Sequence, residues 1–252
     1  MNLKAQDIVS KVPEVTMIFW IIKILATTLG ETGGDAVSMS MNLGYLVGTG
    51  IFSLVFVVSV LIQVSAKKFH PILYWITIIA TTTVGTTLAD FADRSLGVGY
   101  AGGTAILFAL LMGSLFVWHR TMGTVAVDTV ASPKSEAFYW VTIMFSQTLG
   151  TALGDWTADT AGLGYEGAAL VFGTMLAVIA WAYFRTKISH VVLFWAAFIL
   201  TRPFGAVVGD FLDKPLSQGG LELSRYSATA TMILLIALCI YFFPQRPAKY
   251  KA

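Results

Sequence analysis

Eight of the fourteen acidic residues in this 252-residue chain fall in four short stretches that close apolar runs. They are Glu31, Asp35, Asp90, Asp93, Asp155, Asp159, Asp210 and Asp213. Glu31 and Asp35 are four apart, Asp90 and Asp93 three, Asp155 and Asp159 four, and Asp210 and Asp213 three, so on a helix each pair shares a face. Four such faces converging would form an oxygen-lined site suited to a hard cation, with the hydroxyls of Thr28, Thr82, Thr86, Thr148 and Thr151 as further ligands or water holders. Such a cluster cannot stay fully ionised without a cation. Protons would be taken up and then displaced when a cation enters, which is the physical basis of cation/proton exchange. In the alternative reading the helices end earlier and the acids cap an outer surface in water; Asp93, Asp159 and Asp213 suit it better than the others.

Other chemistries lack their residues. Histidine and cysteine are absent from the acidic stretches, which argues against copper or zinc and leaves manganese, magnesium or calcium; Met39 and Met41 are softer donors that point the other way. The single cysteine, Cys239, excludes an internal disulfide framework. No nucleophile–base pair, phosphate loop or cofactor fingerprint is present, so neither an enzyme nor a covalent cofactor is expected. His70, His119 and His190 fall at the ends of apolar runs, far from the acids.

The acids belong to an internal repeat. Aligning Trp20, Trp75, Trp140 and Trp195 without gaps puts Gly30, Gly85, Gly150 and Gly205 ten residues on, and Asp35, Asp90, Asp155 and Asp210 fifteen on. Gly44, Gly99, Gly164 and Gly219 stand twenty-four on, followed by Tyr45, Tyr100 and Tyr165 in three copies and by Gly220 in the fourth.

The elements that carry the repeat must live in a bilayer. The chain is 56% hydrophobic and 12% charged, with a mean hydropathy of +0.76, too apolar for a wetted globular surface. Spans of roughly 20 residues, the length that crosses a hydrocarbon core, are expected near 14–35, 44–66, 71–92, 100–119, 137–157, 164–184, 190–212 and 226–243. The expected fold is an all-α integral membrane protein of eight transmembrane helices forming one domain, with repeats at about 13–66, 69–121, 135–187 and 189–243. The first helix reads as uncleaved, because no small-residue cleavage site follows it and Glu31 and Asp35 interrupt the region. One side collects Lys4, Lys11, Lys67, Lys68, Arg120, Lys134, Arg185, Lys187, Arg246, Lys249 and Lys251, the other only Arg94, Lys214 and Arg225. That bias places both termini in the cytoplasm. Every copy then begins on the same side, and the repeats are parallel about an axis along the membrane normal. The formal charge of +2 gives no support to nucleic-acid binding.

The repeat, from Trp20 to Tyr226, resembles an uncharacterised bacterial family of membrane proteins made of four tandem two-helix repeats with a tryptophan in each. The resemblance implies this architecture and a bacterial inner (plasma) membrane. The stretch Glu31-Thr32-Gly33-Gly34-Asp35 has a looser likeness to the Glu-x-Gly-Asp signature of a cation-exchanger family of manganese and calcium transporters. It has one residue more, lacks the basic residue that follows that family's aspartate, and recurs without glutamate in the other copies.

The copies differ where a mechanism would need asymmetry. Seven residues after each tryptophan stand Thr27, Thr82, Gln147 and Arg202, and eleven after stand Glu31, Thr86, Thr151 and Ala206. An arginine inside a span needs a carboxylate from another repeat, with Glu31 as one candidate; Pro203 beside it is a hinge or a packing kink. The tryptophans read as interface anchors. Gly44 with Gly48 and Gly99 with Gly103 read as packing faces, and Gly30, Gly85, Gly150 and Gly205 as packing or local unwinding. The function expected is secondary transport of a divalent, manganese-like metal cation, by an exporter that exchanges protons. Glu31, Asp35, Asp90, Asp155 and Asp210 would be ligands and proton carriers. The alternatives are a proton-coupled carrier of a small organic cation and a non-transporting scaffold or sensor holding a structural ion.

Overall fold

A backbone in hydrocarbon must satisfy its own N–H and C=O groups, so long apolar runs fold as helices. The computed structural model describes residues 9–249; Lys4 and Lys251, counted above toward orientation, lie outside the described residues. The described residues form eight α-helices: α1 (Met17–Asp35), α2 (Gly44–Ser65), α3 (Pro71–Asp90), α4 (Tyr100–Met122), α5 (Pro133–Asp155), α6 (Gly164–Arg185), α7 (His190–Asp213) and α8 (Arg225–Phe242). Their starts carry ordinary helix-entry chemistry. The Thr16 hydroxyl accepts from Phe19 N–H, Pro71 and Pro133 occupy first turns, and Ser132 and Ser135 form a reciprocal capping box. Among the described residues six helices, all but α1 and α5, are long and apolar enough to cross a membrane by length and composition. The chain is thus a multi-pass membrane protein.

The odd helices form an inner ring, α1 against α3, α3 against α5, α5 against α7 and α7 against α1, and each even helix packs outside the next odd one, with α8 on α1. The apolar windows of α2, α4, α6 and α8 are only 11–17% buried, against 72% for the segment containing α3 and 56% for α7. The outer helices offer their apolar surface to lipid.

The inner ring repeats one set of contacts around its circumference. At one end the aromatic residue before each tryptophan meets the tryptophan of the next copy. The ring centroids are 5.4 Å apart for Phe19–Trp75, 5.8 Å for Tyr74–Trp140, 6.3 Å for Tyr139–Trp195 and 5.7 Å for Phe194–Trp20. Trp75, Trp140 and Trp195 are therefore buried core residues rather than interface anchors, and Trp20 is half-buried against the same core. Halfway along, a Cβ on Gly30 would meet Thr82, on Gly85 the Gln147 backbone, on Gly150 Arg202 and on Gly205 Thr27. Each of these glycines admits the residue seven after the tryptophan of the next copy, within an unbroken α-helix, so their role is close packing and not unwinding. Gly44 and Gly99 serve differently from the packing faces expected of them, and Gly164 and Gly219 serve as they do. All have φ between +65° and +83°, the left-handed backbone of the turn leading to the next helix.

Two features were not foreseen. Past Asp35, Asp90 and Asp155 the helix continues as a π-helical turn, at Ala36–Ser40, Phe91–Ser95 and Trp156–Thr160, whereas α7 runs on as α-helix to Asp213. The all-α expectation also misses a small antiparallel ribbon, β1 (Val9–Pro13) with β2 (Pro247–Lys249). The ribbon lies against the connection between α4 and α5: the Ser10 hydroxyl donates to Val127 O at 2.7 Å, and Lys11 forms a 2.6 Å ion pair with Glu136. Lys11 is thereby a buried structural cation as well as a charge on that side.

The glycine contacts predict a sharp positional difference. Gly85→Leu should cost about 1–3 kcal/mol, because its Cβ would stand 2.9–3.0 Å from backbone atoms that cannot give way. Gly113→Ala in α4, with nothing within 4 Å, should be neutral or stabilising by up to about 1 kcal/mol. Thermal unfolding of the two purified variants in detergent checks both.

Candidate functional site

Parallel odd helices in register bring the four shared aspartates to one end of the ring. Asp35, Asp90, Asp155 and Asp210 are buried, as are Glu31 and Asp213. Asp93 is half-buried, its Oδ1 about 2.7 Å from where a Cβ on Gly103 would stand, and Asp159 is exposed. The alternative of acids capping a wetted surface therefore fits Asp159 but not the shared aspartates or Asp213.

The carboxylates do not converge as a bare oxygen cage. Arg94 bridges neighbouring copies, Nε to Asp90 at 2.9 Å and a terminal nitrogen to Asp155 at 3.2 Å. Lys214 does the same between Asp35 at 2.5 Å and Asp210 at 3.0 Å. Arg225 lies 3.0 Å from Asp213 and 3.8 Å from Asp35. These three were assigned above to loops, as orientation charges. The signal that would have found two of them is their spacing, since Arg94 and Lys214 each stand four residues after a shared aspartate, within reach on the same helix face.

One turn deeper, Arg202 fills the ring axis. Its side chain is fully buried. One terminal nitrogen shares its two N–H groups among Glu31 Oε2 at 3.0 Å, the Thr86 and Thr151 hydroxyls at 2.5 Å and Thr82 O at 3.5 Å, while the other reaches Thr27 O at 3.5 Å. The fourth copy's arginine is thus held by all three other copies, and the expected cross-repeat pair with Glu31 is present. Thr86 and Thr151 serve the arginine rather than the aspartates. Thr148 donates to Met144 O of its own helix, and Thr28 lies at the α1–α7 contact, its backbone N 3.0 Å from where a Cβ on Gly205 would stand. Pro203 sits within an uninterrupted α7, where its ring faces Gly150.

Two further buried polar side chains line the ring, Lys23 beyond Arg202 and Gln147 at the position in the third copy that Arg202 holds in the fourth. Lys23, fully buried, holds its ammonium 4.2 Å over the Phe198 ring without a hydrogen-bond partner. Gln147, also fully buried, leaves both amide atoms without one. On the opposite side of the acids, a polar cavity of about 540 Å³ opens among Arg94, Ala158, Asp159, Gly162, Gly164, Tyr165, Lys214 and Gln218. It gives the ion-paired layer an approach from that end. The axis is closed at the other end, first by Arg202 and then by the aromatic layer.

Taken together, six buried carboxylates (Glu31, Asp35, Asp90, Asp155, Asp210, Asp213) face four basic side chains (Arg94, Arg202, Lys214, Arg225), a formal excess of two negative charges. Among the described residues two sets of three carboxylates can present oxygens within 4.8 Å of one another, Glu31 with Asp35 and Asp90, and Asp35 with Asp210 and Asp213. The second is the one Lys214 and Arg225 already occupy.

The burial of the Glu31–Arg202 pair makes a testable demand. Removing either partner strands a charge away from water, at a cost of about 3–5 kcal/mol, whereas removing both restores most of the loss. Glu31→Gln and Arg202→Met should each lower the unfolding midpoint of the purified protein strongly, and the double variant should melt above either single one.

The profile of the family described as Repeat of Unknown Function (DUF347) matches the chain four times, at residues 18–69, 73–124, 138–189 and 193–246. The chain belongs to that repeat family. No curated protein and no solved structure matches it.

Proposed function

We propose that this four-repeat protein is a secondary transporter that exchanges a divalent, manganese-like metal cation for protons, working as an exporter through the buried carboxylate layer. The observation that carries the reading is the formal excess of two carboxylates over basic side chains in that layer. Charge left uncompensated at membrane depth is expensive, and either two protons or one divalent cation cancels it. Exchange follows if only one of the two occupies the layer at a time. Carboxylate oxygens and hydroxyls suit manganese, magnesium or calcium better than copper or zinc. The polar cavity beside Asp159 supplies an approach from one end, and Arg202 with the aromatic layer a barrier at the other.

In this reading all eight helices span the bilayer of a bacterial inner membrane, α1 and α5 included, because their polar side chains face the ring rather than lipid. The basic residues of the α2–α3, α4–α5 and α6–α7 connections put those connections and both termini in the cytoplasm. The acids then lie toward the outer face. A second reading, a non-transporting scaffold, is favoured by one observation: each of the six buried carboxylates already has a basic partner.

Reconstitution into proteoliposomes separates the two. With a manganese-sensitive dye and a pH dye inside, an imposed pH gradient should drive Mn²⁺ movement coupled to opposite proton movement. Asp90→Asn and Asp155→Asn should reduce that movement at least tenfold at normal protein incorporation. Mn²⁺ flux without proton movement would remove the exchange mechanism, and absence of Mn²⁺, Mg²⁺ and Ca²⁺ flux would leave the scaffold.

A further inference from the structure

Nineteen residues after the four tryptophans stand Met39, Arg94, Asp159 and Lys214. In the second copy this residue lies between its own aspartate and that of the next copy, Arg94 at 2.9 Å from Asp90 and 3.2 Å from Asp155. The fourth copy does the same across the closure of the ring, Lys214 at 3.0 Å from Asp210 and 2.5 Å from Asp35. Two of the four gaps between neighbouring aspartates therefore hold a cation built into the chain. The remaining two, Asp35 to Asp90 and Asp155 to Asp210, belong to copies that place Met39 and Asp159 at the same position.

The two remaining gaps are not equal. Among the described residues only the first brings three carboxylates together across the gap, Glu31, Asp35 and Asp90 offering oxygens within 4.8 Å of one another, with Glu31 Oε2 also 3.0 Å from Arg202. Among the described residues Asp35 Oδ1, which is buried, has neither a hydrogen bond nor an ion pair, its other oxygen taking both Lys214 and Arg225. Met39 and Arg94 lie on equivalent π-helical turns, Ala36–Ser40 and Phe91–Ser95, so the backbone places them alike.

We infer that the gap between the first and second copies is a divalent-cation site with Glu31, Asp35 and Asp90 as its carboxylate ligands, the free ion standing where Arg94 and Lys214 stand in the flanking gaps. This rests on the cation-transport reading and narrows it, from a ring of four aspartates to one gap. Arg94 and Lys214 are then permanent cations that hold two of the gaps in one charge state. Met39 is the neutral residue that leaves its gap to an exchangeable ion.

The test installs the tethered cation that the first copy lacks. Mn²⁺ binding to the detergent-purified full-length protein is followed by loss of the free-ion EPR signal. Wild type should bind one Mn²⁺ per chain. Met39→Lys should weaken binding at least tenfold while melting no lower than wild type, because its ammonium joins Asp35 and Asp90. Met39→Leu should bind within threefold of wild type, and Leu96→Lys, which adds the same charge at an exposed position near that end, within twofold. The inference is overturned if Met39→Lys binds as wild type does, if Met39→Leu loses as much as Met39→Lys, or if wild type binds no Mn²⁺. Binding that follows this pattern in a protein that moves no cation in vesicles keeps the site and removes transport.

Discussion

Four helices meet around one axis only if their backbones can come close. The residue ten after each tryptophan is therefore the constraint on which the other features depend. Gly30, Gly85, Gly150 and Gly205 leave room for Thr82, Gln147, Arg202 and Thr27 of the neighbouring copy. Without hydrophobic drive inside a bilayer, such close contact is a main source of helix association. It also sets rotation and depth together, so that aromatic residues meet about three turns below and carboxylates between one and two turns above. Arg202 shows the same constraint from the side of its guest. Its Cβ and Cγ fit only because Gly150 has no side chain, and its guanidinium is delivered to the axis, where three other helices bind it.

Electrostatics then divides the ring into layers. The aromatic layer is apolar but for stray polar atoms, the middle layer is held by one guanidinium, and the layer beyond carries alternating acids and bases. In each of the bridges formed by Arg94 and Lys214, one positive charge is shared by two aspartates of different copies. Such bridges stabilise the assembly less than they specify it, since a buried ion pair gains little net free energy but penalises any arrangement that separates it. A helix rotated out of register would strand an aspartate in hydrocarbon.

Much of this was legible before any coordinates, and the failures have physical causes. Helix number and approximate span follow from long apolar runs, which have one stable backbone solution in lipid. Recurrence of one aspartate at one offset in four copies favours a shared site over surface caps, but burial itself is not written in the sequence. Arg202 read as needing a cross-repeat carboxylate because an arginine at that depth has no other way to remain charged. The tryptophans were misjudged from the usual preference of indole for interfaces; the telling neighbours were Phe19, Tyr74, Tyr139 and Phe194, which turn each indole into half of an inter-repeat pair. Arg94 was set aside as a loop charge because the span was expected to end near the acid, whereas a π-helical turn carries the chain further and brings the arginine back over it. The short ribbon was invisible for lack of any strand-length alternation in so few residues.

The ribbon itself bears on how the ring is joined. β1 leads into the first copy and β2 follows the last, and their pairing holds the α1 and α8 ends together while α7 packs on α1 as closely as any consecutive pair does. Repeat arrays that stack in a line keep two unmatched faces that need special end units. Here the line is bent into a loop with no first or last face, as in a propeller whose final blade meets its first. The copies differ inside the loop, where one arginine and one glutamate face each other across the junction of its ends.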